Sequence, residues 1–165
     1  MPAPAFSPIE LLRLLQEHGV RFVVIGGLAA TIHGSPYPTY DVDITPQATR
    51  ENLARLSNAL RALEARIRVQ GITGGIAFEH DADSLLAMRT VNLVTRLGDL
   101  DLALEPAGVG GFAAWDAGAT DLEVEGVGVR LASLDDVIRS KEAADREKDR
   151  ATLPILRELR RRMSR

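Results

Sequence analysis

Apolar residues recur at helical spacing in the first clear segment, PIELLRLLQEHG. Ile9, Leu12 and Leu15 share one face, with Leu11 beside them. Ser7 stands as an N-cap ahead of Pro8, and Gly19 follows as a stop, so the pattern predicts a helix over about 8–18. The next run, VRFVVIGG, is apolar, β-branched and closed by two glycines, which predicts a central strand over 20–25. LAATIHG fits about two helical turns before Gly34, and SPYPT is extended turn sequence punctuated by prolines. DVDIT predicts a second strand. Residues 47–64 predict an amphipathic helix with a stripe of Leu53, Leu56, Leu60 and Leu63.

The middle of the chain is less patterned. IRVQG is compatible with a short strand, GITGG reads as a loop, and DADSLLAMRT predicts a short helix with Asp81 or Asp83 near its start. TVNLVTRLGDLDLALEP predicts strands over 90–95 and 99–104 joined by a tight turn at Leu97-Gly98. A glycine-rich segment with one helical turn over 112–116 follows, then a hairpin through Gly126. Ser133 caps a helix with Asp136 three residues on, and a last helix over about 148–162 ends in arginines. Helices and strands alternate before the chain closes in helices. The expected class is therefore α/β or α+β, a mixed β-sheet flanked by helices. One domain over 1–165 is expected, with a core over about 8–105 and a C-terminal hairpin and helices over about 119–162.

Composition narrows the chemistry. The chain has no cysteine, which removes thiolate nucleophiles and Cys-ligated zinc. A net charge of −3 calls for no nucleic-acid partner through a global basic field. No apolar run approaches the roughly 20 residues that span a bilayer, and the N-terminus has no basic region followed by an apolar core, so a cytoplasmic protein with no membrane partner is expected.

The strand DVDIT carries a contradiction. Asp41 and Asp43 are two apart, so both point to one face, where adjacent like charges repel. A divalent cation relieves such a pair, and hard carboxylate oxygens suit Mg²⁺. Upstream, a strand runs into Gly26-Gly27 and a helix begins directly, a geometry that presents N–H groups to a phosphate. It is neither a P-loop nor a dinucleotide fingerprint, because GK[ST] and GxGxxG are absent. Downstream, GDLDLAL holds a second acidic pair. Asp99 suits a turn after Gly98, whereas Asp101 sits within a strand whose leucines point the other way, so Asp101 is the preferred third carboxylate. Three carboxylates facing a glycine turn suggest two-metal phosphoryl or nucleotidyl transfer. If one helix runs through SKEAADREK, Lys141 and Lys148 are seven apart and share a face. His18 and His33 read as structural residues at helix ends, Trp115 as core, and the arginines of the tail as helix-end charge or an RNA-backbone contact.

The succession of strand, Gly26-Gly27, short helix, Asp41-x-Asp43 and helix resembles the nucleotidyltransferase superfamily that includes DNA polymerase beta. GDLDL and LASLDDVIRSKEAADREKD resemble the small bacterial branch of AbiEii-like toxins and minimal nucleotidyltransferases. The resemblance spans residues 9–160. It implies that Gly26 and Gly27 contact the β- and γ-phosphates of an NTP, and that Asp41 and Asp43 hold two Mg²⁺ ions, with Mn²⁺ as an alternative. Asp101 ligates the ion beside the acceptor hydroxyl, and Lys141 binds triphosphate with support from Arg146, Lys148 and Asp149. The implied reaction transfers a nucleoside monophosphate to a tRNA, a protein or a small molecule, with pyrophosphate leaving and an antitoxin as partner. The alternatives are a non-catalytic nucleotide-binding module of the same fold and an antibiotic-modifying transferase. The pattern departs from its relatives at Tyr37, where many carry arginine.

Overall fold

In the computed structural model, which describes residues 5–165, the strand ahead of Gly26-Gly27 lies inside a mixed sheet of eight strands. The elements are α1 (Pro8–Glu17), β1 (Phe22–Ile25), α2 (Gly26–His33), β2 (Asp41–Pro46), α3 (Arg50–Ala62), β3 (Arg66–Val69), β4 (Ile72–Ile76) and α4 (Ala82–Met88). They continue as β5 (Thr90–Thr95), β6 (Gly98–Ala103), α5 (Phe112–Gly118), β7 (Thr120–Val124), β8 (Val127–Leu131), α6 (Leu134–Ala144) and α7 (Glu147–Met163). The strand order is β4-β3-β5-β6-β2-β1-β8-β7. β2 runs parallel to β6 and antiparallel to β1, so the start of β2 lies beside the end of β1, where α2 begins.

The patterning of β2 and β6 separates the two faces of the sheet. Val42, Ile44, Leu100 and Leu102 are buried, while Asp41, Asp43, Asp99 and Asp101 alternate with them and remain partly accessible. The leucine stripes behave as their periods require. Leu11, Leu12 and Leu15 of α1 are buried in one core with Leu53, Leu56 and Leu60 of α3 and with Leu63 just after it. Trp115 is fully buried, and its indole N–H donates to the Gly110 carbonyl at 3.0 Å. His33 Nε2 lies 2.8 Å from the Ala132 carbonyl, and His18 Nδ1 lies 2.9 Å from the Leu14 carbonyl, so both histidines hold helix ends in place.

Three local expectations are corrected. Ser7 makes no side-chain cap to α1; its backbone N–H instead donates to Leu97 at 2.9 Å, tying the helix start to the β5–β6 turn. GITGG is not a loop but most of β4, an edge strand paired with β3. It lacks apolar alternation, and the backbone ladder with β3 holds it as a strand, helped by Arg66 Nε donating to the Gly74 carbonyl at 2.8 Å. Lys141 and Lys148 do not lie on one helix. Asp145 adopts a left-handed conformation (φ 49°, ψ 38°), ends α6 and turns the chain into α7.

The tail arginines are largely engaged within the protein. Arg157 pairs with Glu142 at 3.6 Å and Arg160 with Asp135 at 3.7 Å, across the α6–α7 contact. Arg161 and Arg162 both pair with Glu158. Exposed pairs of this kind add little stability, but they occupy charge that an RNA backbone would otherwise meet.

Candidate active site

β2 and β6 pair in parallel with Asp41 opposite Asp99 and Asp43 opposite Asp101. The period of two therefore places four carboxylates on one face as two cross-strand pairs. Asp41, Asp43 and Asp101 each bring a ligand oxygen within 4.8 Å of the others; Asp99 is not part of this group. Asp101, the acid preferred from strand geometry, is the β6 carboxylate in this group, and Asp99 lies two residues earlier on that strand.

Gly26 shows why the glycine turn belongs to this site. Its φ is +65°, a left-handed conformation that side chains disfavour, and a Cβ there would lie 2.8 Å from the Asp43 Cβ and Cγ. A Cβ on Gly27 would lie 2.9 Å from the Thr39 Oγ1. The two glycines let the start of α2 close over the acidic strand. Thr39 in turn donates to the Asp41 carbonyl at 3.2 Å and lies 3.4 Å from Asp41 Oδ1. Gly26→Ala is expected to destabilise the protein by about 1–3 kcal/mol through the imposed left-handed strain. Denaturant unfolding checks this; an alanine variant with unchanged stability would show that the close approach is dispensable.

Above the acids lies a cavity of about 670 Å³ whose wall includes Gly26, Gly27, Asp41, Asp43, Asp101, Lys141, Arg146 and Lys148. The turn between α6 and α7 brings the two lysines there from separate helices, an arrangement that seven-residue spacing on one helix did not foresee. Asp149 organises the turn. It is fully buried, accepts from the Arg146 backbone N–H at 3.1 Å and from Arg146 Nε at 2.8 Å, and pairs with Lys141 Nζ at 3.4 Å. Tyr37 also lines the cavity and is 42% exposed. Positive charge reaches the cavity here from Lys141, Arg146 and Lys148.

The carboxylates strain against one another. Burial, with the charges of Asp41 and Asp101 adding to it and Lys148 opposing, pushes Asp43 up to about 7. Burial also raises Asp101, against the attraction of Arg68 and with the help of Asp41. A folded-state value above the ordinary one means that Asp43 contributes its stability in full at pH below about 4 and loses it as pH rises through about 7. A divalent ion at the three carboxylates cancels that loss. Adding Mn²⁺ to metal-free protein is therefore expected to raise the melting temperature more at about pH 8 than at about pH 5.5. Equal shifts at both pH values would sink this reading of the acids.

Three hard oxygen donors in one cluster, with burial and like charge raising Asp43 so that a cation would relieve it, fit Mg²⁺ or Mn²⁺. Two further polar residues went unnoticed in the sequence. Asn92 of β5 stands opposite Asp101 in register and lines the cavity. Arg68 of β3 reaches both Asp101, at 2.7 Å, and Asp99, at 3.2 Å. The available signal was RIRV, in which Arg66 and Arg68 share a strand face within an otherwise apolar segment.

No family model matches the chain, and no curated protein matches it. Solved structures do. Lincosamide antibiotic adenylyltransferase LnuA, lincomycin-bound, matches at TM-score 0.60 and 15% identity over 94% of this chain and 99% of that one. A protein of Thermotoga maritima assigned as a nucleotidyltransferase matches at TM-score 0.56 and 13% identity, over 88% and 86%. ANT(2'')-Ia in complex with adenylyl-2''-tobramycin matches at TM-score 0.55 and 16% identity, over 88% and 83%. The chain therefore has the nucleotidyltransferase fold.

Proposed function

We propose that this protein is a divalent-metal-dependent nucleotidyltransferase that moves a nucleoside monophosphate from an NTP to an acceptor hydroxyl and releases pyrophosphate. The observation that carries the reading is the cluster of Asp41, Asp43 and Asp101 beside the Gly26-Gly27 turn, within one cavity. Asp41, Asp43 and Asp101 would hold Mg²⁺, which supplies charge to the attacking and leaving oxygens when bound. Gly26 and Gly27 present the start of α2, with its N–H groups and positive dipole end, to the triphosphate. Lys141 and Lys148 add positive charge from the α6–α7 junction, where pyrophosphate gathers negative charge as it leaves. Asp101 accepts the proton of the acceptor hydroxyl as that oxygen attacks the α-phosphorus in line.

Acceptors of three classes fall within this chemistry: a tRNA end, a protein hydroxyl and a small molecule, the first two in a toxin–antitoxin setting. Charge on the cavity wall argues against a polycationic acceptor. Its carboxylates are Asp41, Asp43, Asp101 and Glu105, and Glu105 already pairs with Arg89 at 2.7 Å.

Incubation with each α-labelled NTP, together with total cellular RNA, total protein or a panel of hydroxylated small molecules, tests the proposal with and without Mg²⁺. Metal-dependent label transfer is expected in one acceptor class. NTP binding without transfer in any class, unaffected by Asp41→Ala, Asp43→Ala and Asp101→Ala, would instead identify a non-catalytic nucleotide-binding module.

A further inference from the structure

We infer that Arg68 is a positioning residue that limits which carboxylates reach the metal, by tying Asp99 away from it. This rests on the metal-site reading above. Asp99 and Asp101 lie on the same face of β6, and Asp99 is the register partner of Asp41 just as Asp101 is the register partner of Asp43. Strand geometry alone therefore offers four candidate ligands. Only Asp101 joins Asp41 and Asp43 in the cluster and lines the cavity.

Arg68 supplies the difference. It projects from β3 past β5 toward β6, and β5 is the strand between them. Nη2 donates to Asp101 Oδ1 at 2.7 Å, Nη1 pairs with Asp99 Oδ2 at 3.2 Å, and Nη1 also lies 3.5 Å from the Leu93 carbonyl. The planar guanidinium is thus held at several points, as a fork suited to two carboxylates at once. One oxygen of Asp101 is taken by the fork, which leaves the other for the cluster. Asp99 is paired with the other terminal nitrogen. The arginine also adds one fixed positive charge to a face that would otherwise carry four adjacent negative ones, which lowers its attraction for a cation.

Two effects follow on removing Arg68, both in the same direction. A positive charge leaves the neighbourhood of the ion, and Asp99 becomes free to act as a ligand. The test is Mn²⁺ binding to metal-free protein, with free Mn²⁺ counted by electron paramagnetic resonance, so that it does not depend on turnover. Arg68→Gln is expected to bind Mn²⁺ about 5- to 10-fold more tightly. Asp99→Asn alone is expected to change affinity less than about twofold, because that carboxylate is already tied. In the Arg68→Gln background the same Asp99→Asn change is expected to remove most of the gain, an energetic coupling between the two positions. Arg68→Lys keeps the charge while losing the fork, and protects against a variant that does not fold. It is expected to give a smaller gain, about two- to threefold, again removed by Asp99→Asn.

Equal effects of Asp99→Asn in all three backgrounds would overturn the inference while leaving the metal site standing. So would unchanged or weaker Mn²⁺ binding in both folded Arg68 variants. A wild-type protein that binds no Mn²⁺ would overturn the metal site and this inference together.

Discussion

Asp43→Ala is expected to lower metal-dependent label transfer by about 10³-fold or more, in the range seen when a group that stabilises transition-state charge or carries a proton is removed. Asp43 holds the central place in the site. It lies on β2 between Asp101 of β6 and Ile25 of β1, directly under Gly26. It thus faces both the proposed metal ions and the glycine turn proposed to meet the phosphates. A stability measurement on the same variant separates this role from simple damage. Removing a carboxylate that burial and two like charges hold at about 7 is expected to stabilise metal-free protein at neutral pH. The joint result is a more stable metal-free protein whose transfer is lowered by that factor. Retained transfer, or a variant that melts well below wild type without metal, would each contradict the role assigned to Asp43.

The second large effect is on stability and has the opposite pH sign. Asp149→Ala is expected to destabilise the protein by about 3–5 kcal/mol, the usual cost of leaving one member of a buried ion pair alone. Asp149 is fully buried and Lys141 is only 11% exposed, whereas Arg146 is 57% exposed and recovers its hydration easily. The uncompensated charge is therefore Lys141. Burial pushes Asp149 up, but the hydrogen bonds from the Arg146 side chain and backbone outweigh it, aided by the charges of Arg146 and Lys141, and its carboxyl settles below the ordinary value. Its stabilisation is accordingly present above the unfolded-state value near 4 and is lost as pH falls through the lower folded value. Acid titration of the melting temperature should show this loss in wild type and not in Asp149→Asn. The same substitution frees Lys141 from its anchor, so the KM for NTP should rise with it. A loss of stability below about 1 kcal/mol would mean that Lys141 finds water or another partner.

Much of this molecule can be read from residue order alone. The period of the leucines marked α1 and α3, and the apolar run ending at Gly26-Gly27 marked β1 and the start of α2. The period of two put Asp41 beside Asp43, and Asp99 beside Asp101, on single faces. These features are local: they depend on residues within a few positions of one another, where backbone geometry fixes direction. β4 escaped for the converse reason. ITGGI has no apolar alternation, and only the ladder from β3 makes it a strand.

The site required contacts that no local pattern encodes. Nothing in GDLDL says that β6 lies parallel to β2 with Asp43 beside Asp101; that is a register between strands far apart in sequence, fixed by matching the buried apolar faces of both. Lys141 and Lys148 looked like neighbours on one helix, yet they reach the cavity from two, because Asp145 takes a left-handed turn that Arg146 and Asp149 secure. Arg68 lies 33 residues from Asp101 in sequence and meets it only across the sheet. The sequence by itself determined the parts and the faces they present, since those follow from short-range backbone periodicity. Only the tertiary structure decided which acid stands beside which cation, since charges act through space and the strand order sets those distances.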